Sequence, residues 1–122
     1  MHSFAKNIIV VDDDIDILEC VQAMLEDVGY NVITAARGEE VATLQEGMLP
    51  DLILLDMLLS GEDGREIARH LKSQAHTRHI PIVMLSAHPS ASKEARASGA
   101  DDFLAKPFEI DDLLEKVARY VG

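Results

Sequence analysis

The sequence is poor in cysteine, in aromatic residues and in basic residues, and each shortage excludes a class of protein. One of the 122 residues is cysteine, so an internal disulfide is impossible and a reducing compartment is expected. Aromatic residues make up 4% and tryptophan is absent, so the core must be aliphatic. No stretch approaches the ~18 apolar residues of a membrane span, and residues 1–6 lack a signal-peptide segment. We therefore expect a cytoplasmic protein without membrane attachment.

Basic residues are outnumbered by acidic residues, 11 to 22, which gives a formal net charge of −11. A surface this acidic repels the phosphate backbone of nucleic acids, so we expect no direct nucleic-acid binding. The length and the hydrophobic content of 48% predict one compact domain over residues 1–122.

Strand-like and helix-like segments alternate along the whole chain. Short apolar runs predict strands at about 7–11, 31–35, 52–56, 81–86 and 102–105. Helical periodicity predicts helices from Asp14 to Gly29, at about 38–48, from the 60–64 loop to 74, at 92–98 and at 109–121. Five such units predict an α/β fold: a doubly wound, five-stranded parallel sheet of order 2-1-3-4-5, the flavodoxin-like (βα)5 arrangement.

Four of the predicted strands end on reactive polar residues. The first runs into Asp12 and Asp13, the third ends on Asp56, the fourth ends on Ser86, and the fifth runs into Lys106. Because ligands bind beyond the carboxyl ends of parallel strands, these side chains are predicted to share one cleft. Crowded carboxylates remain ionised only beside a cation, and hard oxygen ligands suit Mg²⁺ or Mn²⁺. Asp56 is then the natural nucleophile for a phosphoryl group, with Lys106 offsetting charge.

Each of these residues also has a simpler interpretation when it is taken alone. Adjacent acidic residues such as Asp12 and Asp13 favour the first turn of a helix, and Ser86 is a plausible helix N-cap. Lys106, taken alone, is consistent with a solvated surface charge. The prediction of a site depends on all of them meeting at one edge of the sheet.

The chain resembles the response-regulator receiver domains of two-component signalling over nearly its whole length. Five segments carry the resemblance in order: Val11–Asp14, Pro50–Asp56, Gly61–Gly64, Ile80–Ala87 and Gly99–Phe108. The resemblance implies that a sensor histidine kinase or a phosphotransfer protein donates a phosphoryl group. It also implies a downstream effector or an attached output domain, and a monomer or a phosphorylation-dependent dimer.

The resemblance also implies a role for each matching position. Asp56 corresponds to the phosphoacceptor and Asp13 to the direct metal ligand. Asp12 assists through water, and the backbone carbonyl of Leu58 is a further metal ligand. Lys106 corresponds to the lysine that contacts the phosphoryl group. Two positions match the family's switch residues, namely Ser86 and Phe103.

Three features depart from the family pattern. Ser60 stands where the family usually has proline, which predicts a less rigid loop after Asp56. Phe103 replaces the usual tyrosine. Ser86 and Lys106 are 20 positions apart, a slightly short spacing that predicts a short or displaced fourth helix.

Two other functions compete with a phosphorylated switch. A Mg²⁺-dependent phosphatase of the haloacid-dehalogenase kind also uses an aspartate nucleophile, but it needs a second aspartate two residues later, where this chain has Leu58. A receiver used only as a structural or dimerisation module would need none of the acidic residues. We predict a regulatory phosphoacceptor domain, not a turnover enzyme.

Overall fold

The computed structural model describes residues 5–42, 44 and 49–121. Its centre is a parallel sheet of five strands in the order β2-β1-β3-β6-β7. The strands are β1 (Asn7–Val11), β2 (Asn31–Ala35), β3 (Leu52–Asp56), β6 (Ile82–Ser86) and β7 (Asp102–Ala105). This is the predicted order 2-1-3-4-5, because two short strands, β4 (Leu58–Leu59) and β5 (Glu62–Asp63), form a separate antiparallel hairpin.

In the described part of the chain, four helices lie between strands and a fifth follows the last strand: α1 (Ile15–Asp27), α2 (Glu39–Ala42), α3 (Gly64–Ser73), α4 (Ser92–Ala97) and α5 (Ile110–Val121). Asp14 caps α1 because its side chain accepts a hydrogen bond from the Asp16 amide. The prediction of a short fourth helix is confirmed, since α4 has six residues and follows a single 3-10 turn. Part of the predicted second helix, residues 43 and 45–48, lies outside the described residues.

The helices cover the two faces of the sheet and enclose one apolar layer on each side. One layer joins the sheet to α1 and α5 through Leu18, Val21, Leu25, Leu113 and Val117. The other joins it to α2, α3 and α4 through Val41, Ile67, Ala68, Leu71 and Ala95. In β1, Ile8 and Val10 face the first layer whereas Ile9 and Val11 face the second, as the two-residue period of a strand requires. Strands buried on both faces explain the uninterrupted apolar runs.

Three details of the sequence interpretation are wrong. The segment after Asp56 was expected to be a plain loop, but it folds into the β4–β5 hairpin around a turn at Ser60 and Gly61. The apolar spacing of the first and last helices predicts that Val28 and Ile110 are buried, but they are 52% and 46% exposed because each lies at a helix end. The apolar neighbours of Cys20 in the sequence predict a packing residue, yet Cys20 is exposed on α1.

All five strands of the main sheet run in the same direction, so their carboxyl ends form one edge. The register pairs Val11 with Leu55, Asp56 with Leu85, and Ser86 with Ala105. The residues that end or follow these strands are therefore neighbours. Among the described residues, no helix has the length and apolar character that crossing a bilayer demands.

Candidate phosphoacceptor site

Three carboxylates meet at the carboxyl edge of the sheet. Asp12 and Asp13 follow β1, and Asp56 is the last residue of the adjacent strand β3. One oxygen from each of the three lies within 4.8 Å of the others. Asp12 and Asp56 are buried whereas Asp13 is exposed. The predicted convergence of these side chains is what the structure shows.

Lys106 reaches this cluster from the loop after β7. Its Nζ lies 2.6 Å from Asp12 Oδ2 and 3.3 Å from Asp56 Oδ1. The side chain is 15% exposed, so it is not a freely solvated surface lysine. Burial alone would lower the pKa of Lys106, but the hydrogen bond to Asp12 and the charge of Asp56 outweigh burial and raise it. The lysine therefore remains protonated and serves as a fixed positive charge.

A single ammonium does not balance three carboxylates. Burial raises the pKa of Asp56 and the charge of Asp12 raises it further, whereas Lys106 and the Leu58 amide oppose the rise. The Asp56 carboxylate is therefore held in a site with an excess of negative charge. This excess favours the binding of a cation, and carboxylate oxygens suit a hard divalent ion such as Mg²⁺.

Asp13 is held from the hairpin side by Ser60. The Ser60 amide and the Ser60 hydroxyl donate hydrogen bonds of 2.8 and 2.6 Å to the same oxygen, Asp13 Oδ2. The bond from the Ser60 hydroxyl lowers the pKa of Asp13, so this exposed carboxylate is ionised at neutral pH. The sequence interpretation noted Ser60 only as a departure from the family and missed this contact.

Gly64 lets the hairpin approach the end of β3, and the sequence interpretation treated it only as a loop residue. A Cβ atom at this position would lie 2.3 Å from the backbone oxygen of Asp56. The Gly64 amide also donates a 2.7 Å hydrogen bond to the carbonyl of Met57. A glycine is required at position 64 because its backbone lies against the backbone of Asp56 and Met57. The sequence alone does not place the hairpin, so it could not reveal this requirement.

Ser86 ends β6, the strand beside β3, and its side chain is buried. Its Oγ accepts a 3.1 Å hydrogen bond from the His88 amide, and its carbonyl accepts a 2.8 Å bond from the Lys106 amide. The exposed His88 side chain and Leu58 border a pocket of about 310 Å³ next to the Asp56 strand end. Ser86 thus links the strand to the loop that leads into α4.

Phe103 lies on β7, one strand further from the carboxylates than Ser86. It sits on β7 opposite Met84, is half-buried, and packs against the apolar layer on the α2–α4 side of the sheet. The structure therefore groups Asp12, Asp13, Asp56 and Lys106 in direct proximity, with Ser86 on the next strand. Phe103 belongs to the neighbouring core.

The fold and the site together define a class of protein. A doubly wound parallel sheet with three carboxylates and a lysine at its carboxyl edge is the arrangement of a phosphoacceptor signalling domain with a regulatory role. The chain belongs to the response regulator receiver domain family, whose sequence model matches residues 8–118.

Individual relatives and solved structures are similar over most of the chain. The phosphate regulon transcriptional regulatory protein PhoB of Rhizobium meliloti is 38% identical over 90% of this chain and 49% of its own length. The chemotaxis protein CheY4 of Vibrio cholerae has a TM-score of 0.87 and 32% identity, with 96% and 99% of the two chains covered. The receiver domain of sensor histidine kinase PA1611 from Pseudomonas aeruginosa PAO1, solved with a magnesium ion in its active site cleft, has a TM-score of 0.83 and 31% identity, covering 98% and 99%. The chain spans about half the length of the curated relatives it matches.

Proposed function

We propose that Asp56 accepts a phosphoryl group from a phosphohistidine of a sensor kinase or phosphotransfer protein, and that the modification changes partner binding. The observation that supports this most directly is the position of Asp56 between Asp12, Asp13 and Lys106 at the carboxyl edge of the sheet. The partner is a downstream effector or an output domain attached to the same protein. The function is regulatory: the position two residues after Asp56 is Leu58, which cannot act as the acid or base of a turnover enzyme.

The donor set fits a divalent cation such as Mg²⁺. Asp12, Asp13 and Asp56 offer only hard oxygen ligands, and their combined charge exceeds that of Lys106. The Leu58 carbonyl is the proposed fourth protein ligand. In an antiparallel pair of strands, hydrogen-bonded and non-hydrogen-bonded residue pairs alternate. The Gly64 amide bonds to the Met57 carbonyl, so the next pair, Leu58 and Asp63, is a non-hydrogen-bonded pair. The Leu58 carbonyl therefore points away from the partner strand of the hairpin. When bound, the cation neutralises charge on the phosphoryl oxygens.

Lys106 is proposed to contact the phosphoryl group directly. Its Nζ already lies 3.3 Å from Oδ1 of the Asp56 carboxylate, the group to which phosphorus would bind. Phosphoryl transfer needs alignment and charge neutralisation more than covalent assistance from the protein. A lysine that is partly buried, protonated and shared between Asp12 and Asp56 supplies a positive charge that requires no rearrangement.

Ser86 and Phe103 are proposed as the residues that transmit phosphorylation. The Ser86 Oγ accepts a hydrogen bond from the His88 amide, so its own hydrogen is available to donate to a phosphoryl oxygen. A bond made only in the phosphorylated state shifts the conformational equilibrium toward that state. Phe103 is half-buried beside this strand and can change its packing as the Ser86 loop moves.

Beryllium fluoride, a phosphoryl analogue, tests the proposal without a kinase. We expect the protein to bind it in the presence of Mg²⁺, with fluorine NMR signals of a bound species and amide shifts around residues 56, 86 and 106. Asp56→Asn should abolish these signals, and Glu19→Gln, an exposed acidic position on α1, should retain them. Absence of binding by the wild-type protein would favour a receiver used only for structure or dimerisation.

A further inference from the structure

Ser60 makes the most specific contact that the proposed roles leave unexplained. Its amide and its hydroxyl both donate to Asp13 Oδ2, at 2.8 and 2.6 Å. The two residues are 47 positions apart, so the contact joins the loop after β1 to the tip of the β4–β5 hairpin. Both donors bind the same oxygen, so the other carboxylate oxygen, Asp13 Oδ1, takes no part in the contact with Ser60.

The turn that carries Ser60 explains how both donors reach Asp13. Gly61 has φ 75°, the positive value that a type II turn requires at its third position, so Ser60 occupies the second position. Proline is favoured at that second position. A proline would supply neither an amide hydrogen nor a hydroxyl. The contact with Asp13 is therefore a property of the serine in this chain.

We propose that Ser60 is a positioning residue that orients Asp13 for the divalent cation. This inference rests on the proposed function, because it assumes that Asp13 is a metal ligand. Asp13 is exposed, and an exposed carboxylate otherwise samples several rotamers. Two hydrogen bonds to Oδ2 restrict these rotamers and hold the carboxylate where one of its oxygens lies within 4.8 Å of oxygens of Asp12 and Asp56.

Hydrogen bonds of this kind affect metal affinity even though the donor never touches the ion. Removing a residue that orients a ligand typically weakens metal binding by about 10–100-fold. Ser60 and Asp13 are both exposed and solvent competes for their bonds. The amide bond also remains when the hydroxyl is removed. We therefore expect loss of the Ser60 hydroxyl to weaken Mg²⁺ binding by about tenfold, the lower end of that range.

Calorimetric titration of the unphosphorylated protein with Mg²⁺ tests the inference without any phosphodonor. Ser60→Ala removes the hydroxyl and keeps the amide, whereas Ser60→Thr keeps both donors. Ser73→Ala is the matched control, because Ser73 is an exposed serine whose hydroxyl donates to the His70 carbonyl within α3. Circular dichroism melting of each variant establishes that all of them fold.

We expect Ser60→Ala to raise the dissociation constant about tenfold, and Ser60→Thr and Ser73→Ala to stay within about twofold of wild type. A Ser60→Ala value less than about threefold above wild type, or below it, overturns the inference. Asp13→Ala separates this result from a failure of the proposed function. If the wild-type protein does not bind Mg²⁺, or if Asp13→Ala binds it equally well, the proposed metal site itself is wrong.

Discussion

Replacing Asp56 with asparagine should stabilise the protein when divalent cations are absent. The substitution keeps the size and shape of the side chain and removes its charge. The folded protein holds the Asp56 carboxylate beside those of Asp12 and Asp13, and burial raises its pKa. The charge that suits Asp56 to its proposed role therefore opposes folding in the cation-free state.

The expected magnitude follows from the charges around Asp56. Lys106 Nζ at 3.3 Å provides an attraction of about 5 kcal/mol at an effective dielectric constant of roughly 20. An Asp12 oxygen within 4.8 Å repels the Asp56 carboxylate by about 3.5 kcal/mol at the same dielectric constant. Asp13 is exposed, so solvent reduces its repulsion of Asp56 to about 1 kcal/mol. These terms nearly cancel, so the lost hydration of the buried carboxylate decides the sign. We expect the free energy of unfolding to rise by about 1–2 kcal/mol in Asp56→Asn at pH 7.

Urea unfolding followed by circular dichroism in the presence of a chelator measures this difference. Glu19→Gln removes an exposed charge on α1 and should change stability by less than about 0.5 kcal/mol. Saturating Mg²⁺ should reverse the order, since a ligand at 100 times its dissociation constant stabilises the wild type by about 2.7 kcal/mol. An Asp56→Asn variant that is no more stable than wild type in the chelator would refute the reasoning.

The same variant has a predicted pH dependence. Because the folded-state pKa of Asp56 is raised, its protonated form is favoured in the folded protein. The wild-type protein gains stability relative to Asp56→Asn as the pH falls through the folded-state pKa. The difference between the two proteins should vanish below the ordinary aspartate pKa of about 3.9.

Three further substitutions have expected outcomes in the same unfolding assay. Gly64→Ala should cost about 2 kcal/mol, because its Cβ would lie 2.3 Å from the Asp56 carbonyl oxygen. Asp102→Asn should cost about 2 kcal/mol, because the buried Asp102 carboxylate accepts 2.9 Å bonds from Lys116 and Tyr120. Burial alone would raise the pKa of Asp102, but the hydrogen bond from Lys116 and the other partners lower it below 3.8. The stabilisation by the Asp102 carboxylate is therefore present at neutral pH and is lost as the pH falls through this folded-state pKa. Tyr120→Phe should cost about 1 kcal/mol, and equal stability of this variant and wild type would contradict the assigned bond.

The sheet and the carboxylate cluster were predictable from sequence because both depend on simple periodicities. Continuous apolar runs identify strands buried on both faces, and parallel order brings the residues at their ends to one edge. Asp12, Asp13, Asp56 and Lys106 were predicted to lie together from the order of the strands alone, and the structure confirms their proximity.

The contacts that tune the site were not predictable in the same way. The Ser60–Asp13 contact depends on the hairpin turn that aims two donors at one oxygen, and a plain loop was expected there. Cys20 lies outside the buried stripe of α1, which is formed by Leu18, Val21 and Leu25, and apolar neighbours in the sequence alone do not reveal this. The burial of Asp102 beside Lys116 depends on how α5 packs against β7.

Incubation with acetyl phosphate and Mg²⁺, followed by intact-protein mass spectrometry, tests the central claim most directly. We predict the mass gain of one phosphoryl group on the wild-type protein, loss of that gain in a chelator, and no gain in Asp56→Asn. Peptide mapping should assign the modification to residue 56. A wild-type protein that stays unmodified, or an Asp56→Asn variant that gains the same mass, would contradict the account.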